Sequence, residues 1–376
     1  MKPLFVLSLA LFTFGLASGQ TLPNTFKVGN YVEVLPNDSI KIWYNCVGAI
    51  SNRSCASFYR LGKIDPETIG VTGDFCDYDV NGHLIYKAQM HNSKLSGKAW
   101  FYYPDGGVKE TGEYVSDERK GVWKYYYANG SAEKVFDFEG GSPDIIQAYD
   151  VDGRPTVSDG NGNYSGRFAA VGQCDGSWPI SGAVKNGKMD GEWKFAVLST
   201  ELYDNGKFIK GINSKNYGGG EYNSNQPRIK VSGFYANEET QLYENHVGCP
   251  GDQVTLFKFG SKSLTAGFYP DLIKKIKSYP GLKNQWLIVA ISFNRSDHIK
   301  ALNVYSSKDD TELEGFVYSY LKDLKGWKPW SATSESSPPL FFTINIDLSL
   351  GNENVMIPAE YMIRQQMRAM QLPEGN

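Results

Sequence analysis

Gly73-Asp-Phe-Cys-Asp-Tyr78-Asp-Val-Asn-Gly82, Gly97-Lys-Ala-Trp-Phe-Tyr102-Tyr-Pro-Asp-Gly106 and Gly121-Val-Trp-Lys-Tyr-Tyr126-Tyr-Ala-Asn-Gly130 are three copies of one pattern. The leading glycines stand 24 residues apart, and each copy places a tyrosine five positions on and a second glycine nine positions on. Self-similarity at a fixed period marks a repeat architecture. The second glycine closes the pairs Asn81-Gly82, Asp105-Gly106 and Asn129-Gly130, which tolerate the positive φ angles of a type I′ turn. Each copy therefore predicts a β-hairpin. Phe101, Tyr103, Tyr125 and Tyr127 alternate around the repeat tyrosines, while Met90, Tyr114 and Phe138 recur on the return strand, so successive hairpins can stack these rings.

The pattern then degenerates without disappearing. Gly182 with Gly191-Glu192-Trp193-Lys194 reproduces the spacing of Gly112 with Gly121-Val122-Trp123-Lys124, and Asp152-Gly153, Asp159-Gly160, Asn161-Gly162 and Asn205-Gly206 keep the turn-rich style. Composition agrees: 14% of the 376 residues are aromatic and 40 are glycine, which suits short strands joined by tight turns. A chain of this length accommodates roughly two to three domains with buried cores. The 38 basic and 41 acidic side chains nearly cancel, so no global field attracts nucleic acid or anionic lipid.

From about residue 250 the pattern changes. Pro270 to Tyr279 reads as a short amphipathic helix stopped by Pro280, followed by strands at Trp286 to Phe293 and Ile299 to Ser306. Leu313, Phe316, Val317, Tyr320, Leu321 and Leu324 recur at helical spacing, with Thr311 and Glu314 as a capping box and Gly326 as a stop. Leu340, Phe342, Ile344, Ile346 and Leu348 alternate as a half-buried strand, and Pro358 to Met370 suits a covering helix or a loosely docked tail. The predicted fold is mainly β with a terminal α+β domain: an elongated meander of hairpin repeats, then an α-β-β-α-β domain. The boundaries are a signal peptide over 1–19, a cysteine-containing segment over 20–72, the repeat region over 73–249, the α+β domain over 250–350, and a tail over 351–376.

Over roughly 73–211 the chain resembles MORN-type repeats, whose hairpins read Gly-x-Trp/aromatic-x-x-Tyr-x-x-x-Gly; the copy from Gly121 through Trp123 and Tyr126 to Gly130 matches best. The resemblance implies scaffolding, protein partners and sometimes membrane surfaces. Over 255–350 the element order, with Tyr279-Pro280 before the first strand and Gly326-Trp327-Lys328-Pro329-Trp330 after the second helix, resembles the C-terminal domain of TonB-like proteins. That resemblance implies recognition by strand addition to a sheet edge. No long Pro-rich spacer precedes it, so coupling to an inner-membrane motor lacks its mechanical link. The two together point to exported proteins of Gram-negative bacteria.

Met1-Lys2-Pro3, the apolar run Leu4 to Leu16 and the small residues Ala17 and Gly19 read as a secretory signal cleaved after Gly19. Export to the periplasm or the exterior follows, with no transmembrane span after cleavage. Among Cys46, Cys55, Cys76, Cys174 and Cys249, the first two flank a short polar loop and form the expected disulfide, and the odd count leaves a thiol unpaired within the monomer. Asn-x-Ser sequons at Asn37, Asn52, Asn129, Asn163 and Asn294 matter only in a eukaryotic secretory pathway.

No catalytic, cofactor-binding or metal-ligating constellation stands out. His83, His91, His246 and His298 sit in polar turn settings without ligand spacing, and no C-x-x-C occurs. Asp159-Gly-Asn161-Gly-Asn163 imitates a calcium loop but lacks its turn glycine and bidentate acid, while Gly218-Gly219-Gly220 lacks the Lys-Ser/Thr of a phosphate loop. The residues singled out are therefore Cys46, Cys55 and the repeat-defining positions. The preferred reading is a non-catalytic envelope protein that binds protein partners. The alternatives are a secreted carbohydrate-active enzyme or glycan-binding protein using aromatic platforms, and a TonB-like transport component. The repeat aromatics are read as the core of a one-layer sheet, with an exposed face for ligand as the second option.

Overall fold

The computed structural model describes residues 31–46, 51–65, 70–92, 94–140, 143–169, 177–223, 227–229, 257–259, 262–293, 298–329, 340–348 and 355–357. The signal segment, Cys174, Cys249, His246, the Asn294 sequon and the Pro358–Met370 segment lie outside the described residues. The segment over 20–72 joins the repeats in one sheet, supplying β1 (Val32–Leu35), β2 (Ser39–Tyr44) and β3 (Phe58–Asp65), and the repeats follow with β4 (Gly70–Asp79), β5 (Leu84–His91), β6 (Lys94–Tyr102), β7 (Val108–Val115), β8 (Glu118–Tyr126) and β9 (Ala132–Asp137). They continue as β10 (Asp144–Tyr149), β11 (Pro155–Ser158), β12 (Asn161–Ala169), β13 (Ser177–Lys185), β14 (Lys188–Phe195), β15 (Ser199–Asp204), β16 (Lys207–Asn213) and β17 (Glu221–Tyr222). Every strand pairs antiparallel with its neighbours in sequence, giving one 17-stranded meander.

The hairpins are where the repeat pattern puts them, but their turns are not type I′. Gly82, Gly106 and Gly130 take φ of +91°, +88° and +80°, whereas Asn81, Asp105 and Asn129 stay outside the left-handed region. A type I turn followed by a glycine bulge closes these hairpins. Side-chain oxygens explain the choice, because Asp79 accepts the N–H groups of Asn81 and His83, Asp105 that of Gly107, and Asn129 that of Ser131. Two-residue turns with both residues left-handed occupy the opposite margin of the sheet, at Asn37-Asp38, Ser116-Asp117, Asp159-Gly160, Asn186-Gly187 and Asn205-Gly206.

The leading glycine of each copy bends a strand from within. Gly97 and Gly121 have φ of +75° and +60° in mid-strand. Around Gly97 the register passes from Lys87↔Trp100 to Gln89↔Ser96, and around Gly121 from Thr111↔Lys124 to Glu113↔Lys120. A bulge that crowds extra residues onto one strand bends it and increases its twist.

Alternation sorts the side chains onto two faces. Phe75, Ala99, Phe101, Trp123, Tyr125 and Phe136 point inward and are buried, as are Tyr114 and Phe138 on the return strands. The Trp123 ring packs edge-on against Tyr114 at 5.0 Å and against Phe138 at 6.2 Å. Its indole lies across Gly112, where any Cβ would sit inside van der Waals contact of the ring, and Trp193 lies across Gly182 in the same way. Each indole N–H then reaches a backbone carbonyl, Glu113 at 3.2 Å and Ala183 at 2.9 Å. Gly112, Gly121 and Trp123 thus recur as Gly182, Gly191 and Trp193 because they build one packing unit.

Beyond the meander come α1 (Leu264–Gly267), α2 (Tyr269–Lys277), β20 (Gln285–Phe293), β21 (Ile299–Ser306), α3 (Thr311–Lys322) and β23 (Leu340–Ile346). Three short strands, β18 (Phe257–Phe259), β19 (Lys262–Ser263) and β22 (Trp327–Pro329), form a separate small sheet, and β24 (Val355–Met356) completes the order β21-β20-β23-β24. The helix start differs from the expected capping box. Asp310, not Thr311, is the N-cap, its side chain accepting the Leu313 N–H at 3.1 Å, while Glu314 turns away to bond Ser306 N and Oγ at 2.8 and 2.7 Å.

β20 is apolar from Trp286 to Ile291 because both of its faces are covered there. Leu287, Val289 and Ile291 pack with Leu272, Ile276, Leu313, Val317 and Leu321 of the helices. Trp286, Ile288 and Ala290, on the other face, join the buried cluster of the 17-stranded sheet, with Tyr305 packed against it. Among the described residues, no helix is long and apolar enough to cross a membrane.

Candidate functional site

The two faces of the repeat sheet carry different chemistry. On the inward face the cross-strand pairs Arg60↔Asp77↔Tyr86↔Phe101↔Glu110↔Tyr125↔Lys134 form one continuous row from β3 to β9. Arg60 grips Asp77 through two bonds of 2.7 Å and lies 4.1 Å over the Phe75 ring. Burial pushes the Asp77 carboxyl above the usual aspartate range, and Arg60 works against that shift. Arg119 pairs with Glu110, donates to the Tyr125 hydroxyl at 3.0 Å and stacks 3.8 Å over Trp123. Lys134 lies 4.7 Å over Tyr125 and 3.5 Å from Glu133. Asp77, Glu110, Arg119 and Lys134 are buried, and the Arg60–Asp77 and Arg119–Glu110 pairs bridge neighbouring strands, so these charges are engaged within the sheet.

A second buried acid anchors the far end of the sheet. Glu201 accepts the hydroxyls of Tyr203 and Tyr222, each at 2.6 Å, and the N–H groups of Arg228 and Ile229 at 2.7 and 3.2 Å. Burial, reinforced by the bond to Glu201, pushes the Tyr222 hydroxyl up to about 12 and raises that of Tyr203 as well. Both phenols therefore remain donors, and Glu201 ties the chain at 227–229 back onto β15.

The outward face is the candidate binding face. Its repeat tyrosines Tyr78, Tyr102 and Tyr126 are half-buried, on alternate strands β4, β6 and β8. Tyr59 stacks on Tyr78 at 5.3 Å and Trp43 tilts against Tyr59 at 4.8 Å, while Tyr149 closes the strip on β10. Lys41 sits over both Trp43 and Tyr59, at 4.6 and 4.1 Å. Next to each later repeat tyrosine, Tyr103 donates its hydroxyl to the Tyr126 carbonyl and Tyr127 to that of Tyr149, both at 2.8 Å, lacing one hairpin to the next. On the strands between, Lys109 is buried with its ammonium 5.6 Å from the Tyr103 ring, while Ile85, the extra residue of the bulge on β5, belongs to the inward buried cluster. The adjoining outward row is Cys76↔Lys87↔Trp100↔Thr111↔Lys124. Burial raises the hydroxyl pKa values of Tyr59, Tyr78 and Tyr102, with Asp79 adding to the first and Cys76 to the other two. All three stay neutral phenols at neutral pH.

The structure thus divides the repeat-defining residues between two tasks. Trp123 is core, and Gly73, Gly97 and Gly121 with Gly82, Gly106 and Gly130 shape the backbone. Tyr78, Tyr102 and Tyr126 form the outward strip. Cys46 and Cys55 are both disulfide-bonded, and Cys76 is a free thiol whose pKa is raised by burial. Sequence reasoning passed over Asp77, Glu110 and Glu201; the available signal was the placement of an acid at an inward position of an alternating strand. His83 bonds Asp79 at 2.8 Å in its turn, and burial of Asp79 is outweighed by the bonds from His83 and Asn81, which hold its carboxyl below the usual range. Among the described residues no cluster of His, Cys, Asp and Glu could hold a metal ion. Comparison with protein-family models and with curated proteins finds no match to the chain.

Proposed function

We propose that this chain is a non-catalytic exported protein of the cell envelope that binds partners and organises them along its hairpin sheet. The observation that carries the reading is the unbroken meander, whose 24-residue units present equivalent side chains at each second strand, the geometry of a display surface. The resemblance to MORN-type repeats over 73–211 and the leader-like segment over 1–19 support it. The TonB-like layout over 255–350 supports a second contact, in which a partner peptide adds to β21, the edge strand of the terminal sheet.

A pull-down from envelope extracts with the full chain tests this. Specific partners should be recovered, and Leu302→Pro on β21, which removes an edge N–H, should lose those that bind by strand addition. Recovery of no partner beyond a scrambled-surface control would overturn the reading. Mass spectrometry of the mature protein should find an N-terminus at Gln20.

A further inference from the structure

We infer that the outward tyrosine strip binds a linear β-1,4-linked glycan, one disaccharide per hairpin. This goes beyond the partner-binding reading, since it stands on sheet geometry alone. Neighbouring strands are about 4.8 Å apart, so Tyr78, Tyr102 and Tyr126, on alternate strands, recur at about 10 Å. A β-1,4-linked chain turns each hexopyranose over relative to the last, and the same sugar face returns once per disaccharide, again about 10 Å and equal to two strand spacings. The two periods therefore match along the sheet, and a glycan follows its twist by small rotations at each linkage.

The chemistry fits as well. The apolar C–H face of a pyranose packs on an aromatic ring, while its hydroxyls need donors and acceptors at the ring margin. The parallel row of Lys87, Trp100, Thr111 and Lys124 places ammonium, indole and hydroxyl groups alongside the tyrosines. The strip is not required by the core, since Phe75, Phe101, Trp123 and Tyr125 already fill the inward face. The solvent face of an antiparallel sheet is ordinarily polar, and here it repeats a half-exposed ring instead. A lipid surface would need an unbroken apolar patch, which a ring once per hairpin does not supply.

Titration calorimetry on the purified full chain tests the inference with β-1,4-linked cellohexaose and chitohexaose, against α-1,4-linked maltohexaose and β-1,3-linked laminarihexaose. Binding should be confined to a β-1,4 hexamer and strengthen at least tenfold from trimer to hexamer. Tyr102→Ala and Tyr126→Ala should each weaken it at least tenfold with circular dichroism and Tm unchanged, while Tyr102→Phe, which keeps the ring, and Trp178→Ala, outside the strip, should bind as the parent does. Absence of binding to either β-1,4 hexamer, equal binding of the α-1,4 control, or full binding by the Tyr102→Ala/Tyr126→Ala double variant would overturn it. Loss of a protein partner in that double variant, with no glycan bound by the parent, would assign the strip to protein recognition and overturn it too. Failure of the pull-down leaves this readout intact, so the two ideas fall separately.

Discussion

Trp123 can lie flat across β7 only because residue 112 has no side chain. Gly112→Ala forces the indole out of its seat, and overpacking of this kind costs about 1–3 kcal/mol. Trp123→Ala, which empties the site, should cost about 3–5 kcal/mol. In the double variant the alanine methyl no longer meets a ring, so the two losses should fall short of additive when read by urea unfolding. The Arg60–Asp77 pair gives a second expectation at this scale. Asp77→Leu leaves the part-buried Arg60 guanidinium without its carboxylate and should cost about 3 kcal/mol, whereas Arg60→Met/Asp77→Leu should recover most of it. Such residues explain what could be read from the chain and what could not. The recurrence of Gly112 and Trp123 at Gly182 and Trp193 was visible as spacing, although the indole-on-glycine contact behind it was not. Asp77, Glu110 and Glu201 were missed because a charged residue in a strand looks alike whether it faces solvent or a buried partner; only the partner distinguishes them.

At the scale of elements, period-two and period-3.6 patterns carried the reading, and turn geometry defeated it. β20 and β23 were legible as an apolar run and an alternating strand, and β21 ends where its hydrophobic pattern ends. The Asn-Gly and Asp-Gly pairs announced turns but not their class, because Asp79, Asp105 and Asn129 bond backbone N–H groups further along and so select the bulged form. The cap of α3 was displaced by one residue for a similar reason: Ser306 engages Glu314 and leaves Asp310 to receive the helix. Asp310→Ala should cost about 1 kcal/mol and Asp310→Asn much less. The bond from Gln285 holds the Asp310 carboxyl below the usual range against a small opposing effect of burial, with the Leu313 N–H adding to it. A carboxyl whose pKa is depressed on folding stabilises the fold above its unfolded value, near 3.9, and that contribution fades as pH falls through the lower folded value. Unfolding of the parent below about pH 4 should therefore lose a stabilising increment that Asp310→Asn never had, so the two curves converge in acid.

For the molecule as a whole, the seam between the meander and the terminal sheet is a shared apolar cluster. Trp286, Ile288 and Ala290 face the repeat core while their odd-numbered neighbours face the helices. Nothing in the sequence assigned the second face of β20, because a run buried on both sides carries no phase. Calorimetry of the parent should show one cooperative transition, and Trp286→Ala, which weakens the shared cluster, should split it in two. The serial pairing of the meander has a further consequence. No strand waits for a distant segment before it can pair, so a nascent chain can complete each hairpin on the one before it as synthesis proceeds. The same wiring permits growth by duplication. Because Gly97 and Gly121 open equivalent units, copying the 24 residues between them adds two strands and keeps the serial pairing, whereas excising them brings β8 onto β5 and sets Trp123 against Ala88 in place of Gly112.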